Sequence, residues 1–242
     1  MRHLIRGLLL LAIAGVIAKL LLSGQLVLYM SPALDPLTVA TGAVLAGMGV
    51  HELWSAARQW SSGGPNHHGS LTDEALSYLV VLVPVALGLL VVPRALDPNA
   101  LGGQDAARIV VAFSATPASS VAEPPSRPIR DVGDLFAYLR TVGEAGVGQP
   151  VHVVGMVARD DSLSMDQFVL LRYSIVHCVA DAQPLGLLVQ VPEASGGASA
   201  ATWVEIDGTL ASTERSGVHL ISIIASRVVA TSEPPNPYVQ TF

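Results

Sequence analysis

Three long apolar runs in the first 95 residues constrain the fold of this chain more than any other feature. They cover Gly7–Met30, Leu37–Trp54 and Ala75–Pro93. Each approaches the roughly 20 residues that a helix needs to cross the hydrocarbon core of a bilayer. Charged residues make up only 13% of the chain, whereas soluble domains carry about 25%. The sequence therefore predicts three transmembrane helices in residues 1–95.

The first apolar run also has features of a secretory signal peptide, because Arg2 and Arg6 precede it. However, no small-residue cleavage site follows it cleanly, and the apolar run resumes after Lys19. These two observations favour a retained membrane anchor.

Arginines in the short flanks of the runs indicate the orientation. A cytoplasmic N-terminus places three of them inside and one outside, and such an excess is typical of cytoplasmic loops. The inner ones are Arg2, Arg6 and Arg58, and the outer one is Arg94. With three spans, the chain after about residue 95 is then predicted to be extracytoplasmic in a multi-pass protein of the cell membrane.

Composition divides the rest of the chain into a linker and a domain. Residues 96–127 mix Gly, Ala, Ser and Pro, a composition that predicts a linker because it buries little apolar surface. Within the linker, Ile109–Phe113 has the pattern of a short strand or an anchor point. From residue 128 to residue 242 the pattern is that of a separate domain.

The C-terminal domain is predicted to be mainly β. Val132, Leu135, Phe136 and Leu139 recur at helical spacing within Asp131–Val142, which predicts one amphipathic helix. Five strand-like runs follow it: Val151–Ala158, Phe168–Ile175, Leu187–Val191, Trp203–Ala211 and Val218–Val229. Five short strands of this length predict a small OB-like Greek-key barrel. A small β-sandwich is the alternative.

Two glycines fall inside predicted strands of the barrel. Gly155 interrupts the first strand and Gly208 the fourth. Glycine within a strand often marks a bulge that lets the strand bend, so a bulge is predicted at both positions.

Charge and cysteine content exclude several classes of function. The part of the chain after Pro128 has six arginines against twelve carboxylates, which accounts for the formal charge of −6. Such an acidic domain offers no counterion-release site for phosphates, so nucleic-acid binding is disfavoured. One cysteine excludes an internal disulfide and any zinc framework of several cysteines within one chain.

The candidate site surrounds that cysteine, Cys178, which follows His177 and precedes Asp181 by three residues. Thiolate, imidazole and carboxylate are all zinc ligands. Adjacent residues of a strand point to opposite faces, so the first two residues bind one ion only if the backbone turns there. His152 and His219 are further candidates to complete such a site.

Two other interpretations of this segment stay open. In the first, Cys178 is a small buried hydrophobic residue and Asp181 caps the turn. In the second, Cys178 and His177 form a catalytic pair. A nucleophile and its base rarely adjoin in sequence, and the chain has no Walker loop and no GxSxG, HExxH or Rossmann motif. We therefore expect the protein not to be an enzyme and to have no catalytic residues.

Other ionisable groups lie in or near the membrane segments. Lys19, His51 and Glu52 fall within or beside the apolar runs, where ionisable groups are costly and often functional, although pure anchoring is the simpler role. His67-His68 lies in the predicted cytoplasmic loop, where it either binds metal weakly or is solvated.

Three stretches carry a resemblance to a known family. They are Lys19-Leu-Leu-Leu-Ser-Gly-Gln-Leu-Val-Leu-Tyr-Met-Ser-Pro32, Arg172-Tyr-Ser-Ile-Val-His-Cys-Val-Ala-Asp-Ala-Gln-Pro-Leu-Gly186 and Trp203-Val-Glu-Ile-Asp-Gly-Thr-Leu210. Over nearly its whole length the chain resembles the bacterial YcgQ-like family, which is assigned as subunits of two-component permeases. The resemblance implies a membrane protein with a soluble C-terminal domain that pairs with a larger polytopic permease encoded beside it.

The resemblance also implies metal transport, with zinc as the working cofactor or cargo. Many family members carry Cys-Cys where this chain has His177-Cys178, and this change keeps a zinc ligand but cannot form a vicinal disulfide. We therefore expect an accessory subunit of a membrane permease complex that handles a divalent metal through His177, Cys178 and Asp181. The alternative is a membrane-anchored structural or assembly protein whose β-domain binds a protein partner and no ligand. A thiol enzyme is a weaker third reading.

Overall fold

The computed structural model describes residues 2–61, 131–159, 161–191, 199–215 and 217–239, together with residues 83, 85–87, 90, 94–98, 108–110 and 129. The chain divides into two compact units, Met1–Arg94 and Ala95–Phe242. The first unit is helical, and the second is built on a six-stranded sheet.

Two long helices lie in the described part of the first unit, α1 (Arg2–Leu22) and α2 (Asp35–Ser61). The connection between them contains two short 3-10 segments, Gln25–Leu28 and Pro32–Leu34. Gly24 follows α1 with a φ of 67°, a conformation that glycine adopts without a steric cost and that commonly ends a helix.

Small residues bring α1 and α2 close together. A Cβ built at Gly49 would lie 2.8 Å from Cγ of Leu11 and 3.1 Å from the carbonyl oxygen of Gly7. Contacts of this kind let helix backbones approach each other in membranes. Nδ1 of His3 lies 2.5 Å from Oε2 of Glu52, so a polar pair joins the two helices near one end of the hairpin.

Large apolar side chains cover the outward faces of both helices. The exposed ones include Leu4, Leu8, Leu22, Leu37, Val39, Val44, Met48 and Val50. Both helices are long and apolar enough to cross a membrane, over His3–Leu22 and Pro32–Trp60. Two of the three predicted spans are therefore apolar helices of sufficient length. Most of the third, Ala75–Pro93, lies outside the described residues, although residues 83, 85–87 and 90 are helical.

The second unit contains one long α-helix and six strands in its described part. The helix α3 covers Val132–Val142, and Asp131 caps it by accepting a hydrogen bond from the Asp134 N–H at 2.9 Å. The strands are β1 (Pro150–Ala158), β2 (Gln167–Ser174), β3 (Gln183–Gln190), β4 (Trp203–Arg215), β5 (Val218–Ala230) and β6 (Tyr238–Val239). The predicted helix and the five predicted strands are confirmed, with β3 beginning earlier and β4 ending later than predicted.

The strand pairings close into a ring. β1 pairs with both β2 and β4, β2 pairs with β3, and β5 pairs with both β3 and β4. Only the β3–β5 pair within this ring is parallel. The short strand β6 adds to β2 in parallel, with Tyr173 opposite Tyr238.

The two strand glycines have different roles. The register of β4 against β5 shifts between Asp207 and Gly208, but the extra residue is Ser226 on β5, so the bulge lies opposite Gly208 and not in β4 as predicted. A Cβ at Gly208 would lie 2.6 Å from the carbonyl oxygen of Ile224, so glycine is required by a close approach of backbones. The predicted bulge at Gly155 is wrong, because β1 keeps its register against β4 through that residue. Gly155 is needed instead because a Cβ there would lie 2.8 Å from Cγ of Leu170.

Side chains from the two faces of the sheet form two separate cores. Phe168 and Leu170 of β2 join the core that α3 covers, whereas Val169, Leu171 and Tyr173 join the second core. The alternation shows that β2 is buried on both faces. Ile109, Val110 and Tyr238 are buried in the second core, and Leu96 packs against it. Part of the predicted linker therefore packs onto the β-domain, and residues 109–110 are helical where a strand was one of two expectations.

Candidate functional site

The sequence Val176–Asp181 forms a turn at the end of β2. The Ile175 N–H donates to the carbonyl oxygen of Val239 at 3.2 Å, and the chain then leaves the sheet. A 3-10 segment covers Val179–Asp181 and leads into β3. The backbone therefore turns at His177 and Cys178, which is the condition that a shared site for these two residues requires.

The carboxylate of Asp181 organises this turn. Its Oδ1 accepts the Val176 N–H at 2.9 Å, while Oδ2 accepts the His177 N–H at 2.9 Å and the Cys178 N–H at 3.2 Å. These backbone hydrogen bonds, led by that of Val176, hold the pKa of Asp181 below its ordinary value, and the His177 side chain adds to the effect. The structure therefore shows the capping role that one of the open interpretations gave to Asp181.

The His177 ring is exposed above this carboxylate. Its Nδ1 lies 3.2 Å from Oδ2 of Asp181, and 73% of its side chain is accessible. When the carboxylate accepts the Nδ1 proton, the ring presents Nε2 as an acceptor, as in metal sites where a carboxylate orients a histidine. Cys178, the next residue in the chain, is half-buried and forms no disulfide.

The donor set fits a complete metal site poorly. Oδ2 of Asp181 already faces three donors, so ligation through it would disrupt the turn. Across the residues that the structure describes, no three His, Cys, Asp or Glu side chains are arranged to hold a metal ion. His177 keeps an exposed ring nitrogen, whereas the Cys178 side chain takes part in the capping box of the turn.

His152 and His219 lie elsewhere on the domain. His152 stands on β1 opposite Asp207, and His219 stands on β5 opposite Glu214. Neither forms a three-ligand group with the residues of the turn. Of the predicted site residues, the structure therefore brings together His177, Cys178 and Asp181 alone.

A second polar cluster crosses β1, β4 and β5, and the sequence analysis missed it. Nδ1 of His152 lies 2.7 Å from Oδ1 of Asp207, and Nη1 of Arg227 lies 3.2 Å from Oδ2 of the same carboxylate. The histidine, followed by the arginine, keeps the pKa of Asp207 low. This cluster borders a shallow depression that Ile129, Pro150, Thr209 and Ser226 also line. Only the pairing of the three strands reveals it, since the residues are far apart in sequence.

Arg172 is the other group whose role was missed. It is 3% exposed and donates to the carbonyl oxygens of Pro237 at 3.0 Å, Asn236 at 2.8 Å and Tyr238 at 3.3 Å. A further bond reaches the Val154 carbonyl at 3.3 Å. Burial lowers the pKa of Arg172, although the charge of Asp131 opposes the shift. A buried cation among carbonyl groups holds the C-terminal segment against β2.

The ionisable groups of the helical unit have local roles. Glu52 pairs with His3, as described above, and Lys19 lies in the last turn of α1. The guanidinium of Arg58 stacks on Trp54 at 3.9 Å from the ring centroid, an arrangement that suits a membrane interface. His51 is exposed on α2. His67-His68 lies outside the described residues.

Two family models match the chain. The DUF1980 N-terminal domain matches residues 5–105 and the DUF1980 C-terminal domain matches residues 136–241, so the two halves of one family together cover most of the sequence. The protein named UPF0703 protein YcgQ, from Bacillus subtilis (strain 168), is 32% identical over 66 residues. That alignment covers 27% of this chain and 23% of the relative, well under two thirds of the relative's length.

A solved structure is also similar over part of the chain. A crystal structure from Leishmania major Friedlin, assigned as an aspartyl-tRNA synthetase, shares 11% identity over 56% of this chain and 26% of its own. Its TM-score is 0.27, and a likeness that low carries no argument about fold or activity.

Proposed function

The chain belongs to the DUF1980 family and is YcgQ-like, and we propose that it is a membrane-anchored accessory subunit of a permease complex. In this role the N-terminal helices anchor the protein and dock on a polytopic permease subunit. The β-domain presents the Val176–Asp181 turn to the partner. The protein has no catalytic activity of its own and binds no nucleic acid.

The observation that carries this proposal is the α1–α2 hairpin. Its inner faces approach through Gly7 and Gly49, while its outer faces expose large apolar side chains. Such surfaces are suited to lipid or to further transmembrane helices. A hairpin of this kind can anchor a soluble domain and leave a face for a polytopic partner. The third span at Ala75–Pro93 would place the β-domain on the extracytoplasmic side of the membrane, with the N-terminus in the cytoplasm.

The strand connections support an OB-like Greek-key barrel for the β-domain rather than a β-sandwich. The ring runs β1–β2–β3–β5–β4 and back to β1, and a sandwich would leave two separate sheets. OB-like barrels commonly bind ligands over their second and third strands. Here β2 is buried on both faces, so that surface is occupied by the chain itself. This favours a partner-binding role at another surface, such as the exposed turn.

Metal handling is the second candidate, and the His177–Asp181 pair favours it. Asp181 would orient the ring, and Nε2 of His177 with Sγ of Cys178 would supply two ligands. A zinc ion takes four ligands in structural sites, so the remaining ones would come from the permease subunit. Without that partner, the chain would not bind zinc stoichiometrically. The third reading, a thiol enzyme, has no support beyond the adjacency of His177 and Cys178 in the sequence.

Co-purification tests the accessory-subunit role. The full chain and the polytopic subunit encoded beside it are co-expressed, extracted in mild detergent and recovered through a tag on the chain. We expect the wild type to recover the polytopic subunit and Gly49→Leu to lose most of it, because the added side chain would meet Leu11 and the Gly7 backbone. Gly47→Leu is the matched control, since a Cβ there meets nothing within 4 Å. Equal recovery by wild type and Gly49→Leu would contradict docking through the hairpin.

Zinc binding separates the two candidates. Purified full chain and the co-purified complex are titrated with zinc, alongside His177→Ala and Cys178→Ala. Stoichiometric binding by the complex, lost in both variants, would establish the shared metal site. No binding by the complex would leave the protein-contact role alone.

A further inference from the structure

Three segments that are remote in sequence converge on the outer face of β2 and β3. They are the leading segment (residues 95–98), residues 108–110 and the C-terminal strand β6. Leu96 packs against the second core, Ile109 and Val110 are buried in it, and Tyr238 contributes from β6. A Cβ at Gly186 of β3 would lie 3.1 Å from Cγ2 of Ile109. We call these three segments the strap.

Two buried tyrosines fasten the leading segment. The Leu96 N–H donates to Oη of Tyr238 at 3.2 Å, and the hydroxyl of Tyr173 donates to the carbonyl oxygen of Asp97 at 2.9 Å. Both tyrosines are 3% exposed, and they stand opposite each other in the β2–β6 pair. The leading segment is thus bonded to both strands of that pair.

The same β2–β6 pair supports the base of the Val176–Asp181 turn. Ser174 stands opposite Val239, and the Ile175 N–H donates to the Val239 carbonyl. The next residue, Val176, is the first to donate to Asp181. Arg172 holds β6 in place through the carbonyls of residues 236–238. Hydrogen bonds, together with the covalent links from Tyr238 to Val239 and from Ile175 to Val176, therefore join the leading segment to the turn through β6.

We propose that the strap is a conformational device that couples the leading segment to the Val176–Asp181 turn. The leading segment is where the chain enters the β-domain. A change in the position of this segment therefore changes the position of the Tyr238 side chain. A change in Tyr238 loosens β6 from residues 173–175 and releases the turn. Such a device requires one structural element that has two discrete arrangements. The element with these two arrangements would be β6, because it is only two residues long and most of its hydrogen bonds involve side chains. This inference does not depend on metal binding or on the identity of a partner.

The chain offers its own reporter for this coupling, because Cys178 is its single cysteine. The alkylation rate of that thiol reports the turn, and amide hydrogen exchange of Leu96 reports the leading segment. The test uses the full chain in detergent micelles, with Tyr238→Phe as the perturbation. This change keeps the buried ring and removes only the hydroxyl that accepts the Leu96 N–H. The matched control is Tyr138→Phe, on α3, where the tyrosine packs against the other core.

We expect Tyr238→Phe to speed Leu96 exchange about fivefold, the effect of losing one neutral hydrogen bond, and to raise Cys178 alkylation at least twofold. Tyr138→Phe should change neither. Faster exchange at Leu96 with unchanged alkylation would overturn the coupling, and unchanged exchange would overturn the fastening by Tyr238. Equal increases of Leu96 exchange and Cys178 alkylation in both variants would also overturn the coupling, since they would show that either substitution destabilises the whole domain.

A second variant covers the case in which Tyr238→Phe fails to fold. Tyr173→Phe removes the donor to the Asp97 carbonyl from the β2 side of the same pair. Faster alkylation of Cys178 in this variant supports the device. An alkylation rate equal to that of the wild type would contradict it.

Discussion

Arg172 and Asp181 are charged residues of one segment whose principal hydrogen bonds go to the backbone. Arg172 donates to four carbonyl groups, and Asp181 accepts three N–H groups. They differ in burial, since Arg172 is 3% exposed while the side chain of Asp181 is 33% exposed. Removal of a buried charge leaves its partners without water, whereas removal of an exposed one does not. The arginine therefore stabilises the domain, and the aspartate shapes one turn.

This difference bears directly on function. Asp181 shows the residue type and spacing of a metal ligand, but its hydrogen bonds fit a turn organiser. Arg172 shows no pattern of its own in the sequence, yet it fixes β6 and, through β6, the base of the turn. His177, Cys178 and Asp181 are thus held by a structural residue, Arg172, that precedes them by five to nine positions.

The largest effect is expected when the buried arginine is replaced. Arg172→Met keeps an unbranched apolar side chain but leaves carbonyl groups of residues 236–238 without their donor. We expect the free energy of unfolding to fall by about 3 kcal/mol. Urea denaturation of the full chain in micelles, followed by the fluorescence of Trp203 in a Trp54→Phe/Trp60→Phe background, measures it.

Arg159→Met is the matched control for that change. Arg159 also donates to backbone carbonyls, those of Met165 and Gln167, but it is exposed. Its replacement should change the free energy of unfolding by less than about 1 kcal/mol. Equal losses in the two variants would show that burial does not explain the difference between the two charged residues.

The next effect is an alkaline loss of stability that originates at Tyr173. Burial raises the pKa of Tyr173 to about 12, with the charges of Asp97 and Tyr238 adding to the shift. The ordinary value is about 10, so the folded state favours the neutral hydroxyl. The stability that the Tyr173 hydroxyl contributes to the folded state is complete below about pH 10 and is lost as the pH rises toward about 12. The difference in stability between wild type and Tyr173→Phe should shrink over this range, and a constant difference would contradict it.

A smaller and local effect is expected at the turn. The pKa of Asp181 is held below its ordinary value. The stability that its carboxylate gives to the turn is therefore present above the ordinary pKa of about 4 and is lost as the pH falls through the lowered pKa. Amide exchange at residues 176–178, corrected for intrinsic rates, should accelerate in acid in the wild type. In Asp181→Asn it should be faster at neutral pH and vary less with pH. Identical profiles would refute the organising role of the carboxylate.

The smallest effect is expected at the exposed cluster on β1, β4 and β5. Arg227 pairs with Asp207 at 3.2 Å with 61% of its side chain accessible. Exposed ion pairs contribute little because water and salt screen them. Arg227→Gln should leave the denaturation midpoint unchanged within error. A decrease in the free energy of unfolding as large as that expected for Arg172→Met would mean that this face is covered in the folded protein.

The regular elements were predictable from the sequence because their signals are local. Helical spacing in Asp131–Val142 and apolar runs at β1, β2 and β5 indicated the elements within a few residues. The start of β3 was missed because Pro184 and Gly186 look like turn residues, although they pair with β2 in the structure. The two-residue strand β6 is too short to show any period.

The long-range contacts were not predictable. The parallel β3–β5 pair closes the ring, and nothing near either strand indicates it. The same holds for the approach of Arg172 to residues 236–238 and of His152 to Asp207, which depend on pairings between distant strands. At the candidate site, the sequence indicated that three residues lie together, but not that the carboxylate is engaged by backbone N–H groups.

Photo-crosslinking from Cys178 tests the proposed role most directly. A thiol-reactive photo-crosslinker is attached to the single cysteine in membranes that also contain the polytopic subunit proposed as its partner, and adducts are identified by mass. The control moves the thiol to the exposed face of β5 in a Cys178→Ser/Ser226→Cys variant. The account predicts an adduct with the polytopic subunit from Cys178 and little or none from position 226. Efficient labelling of Cys178 without that adduct would contradict the assignment of the turn as the surface that meets the permease.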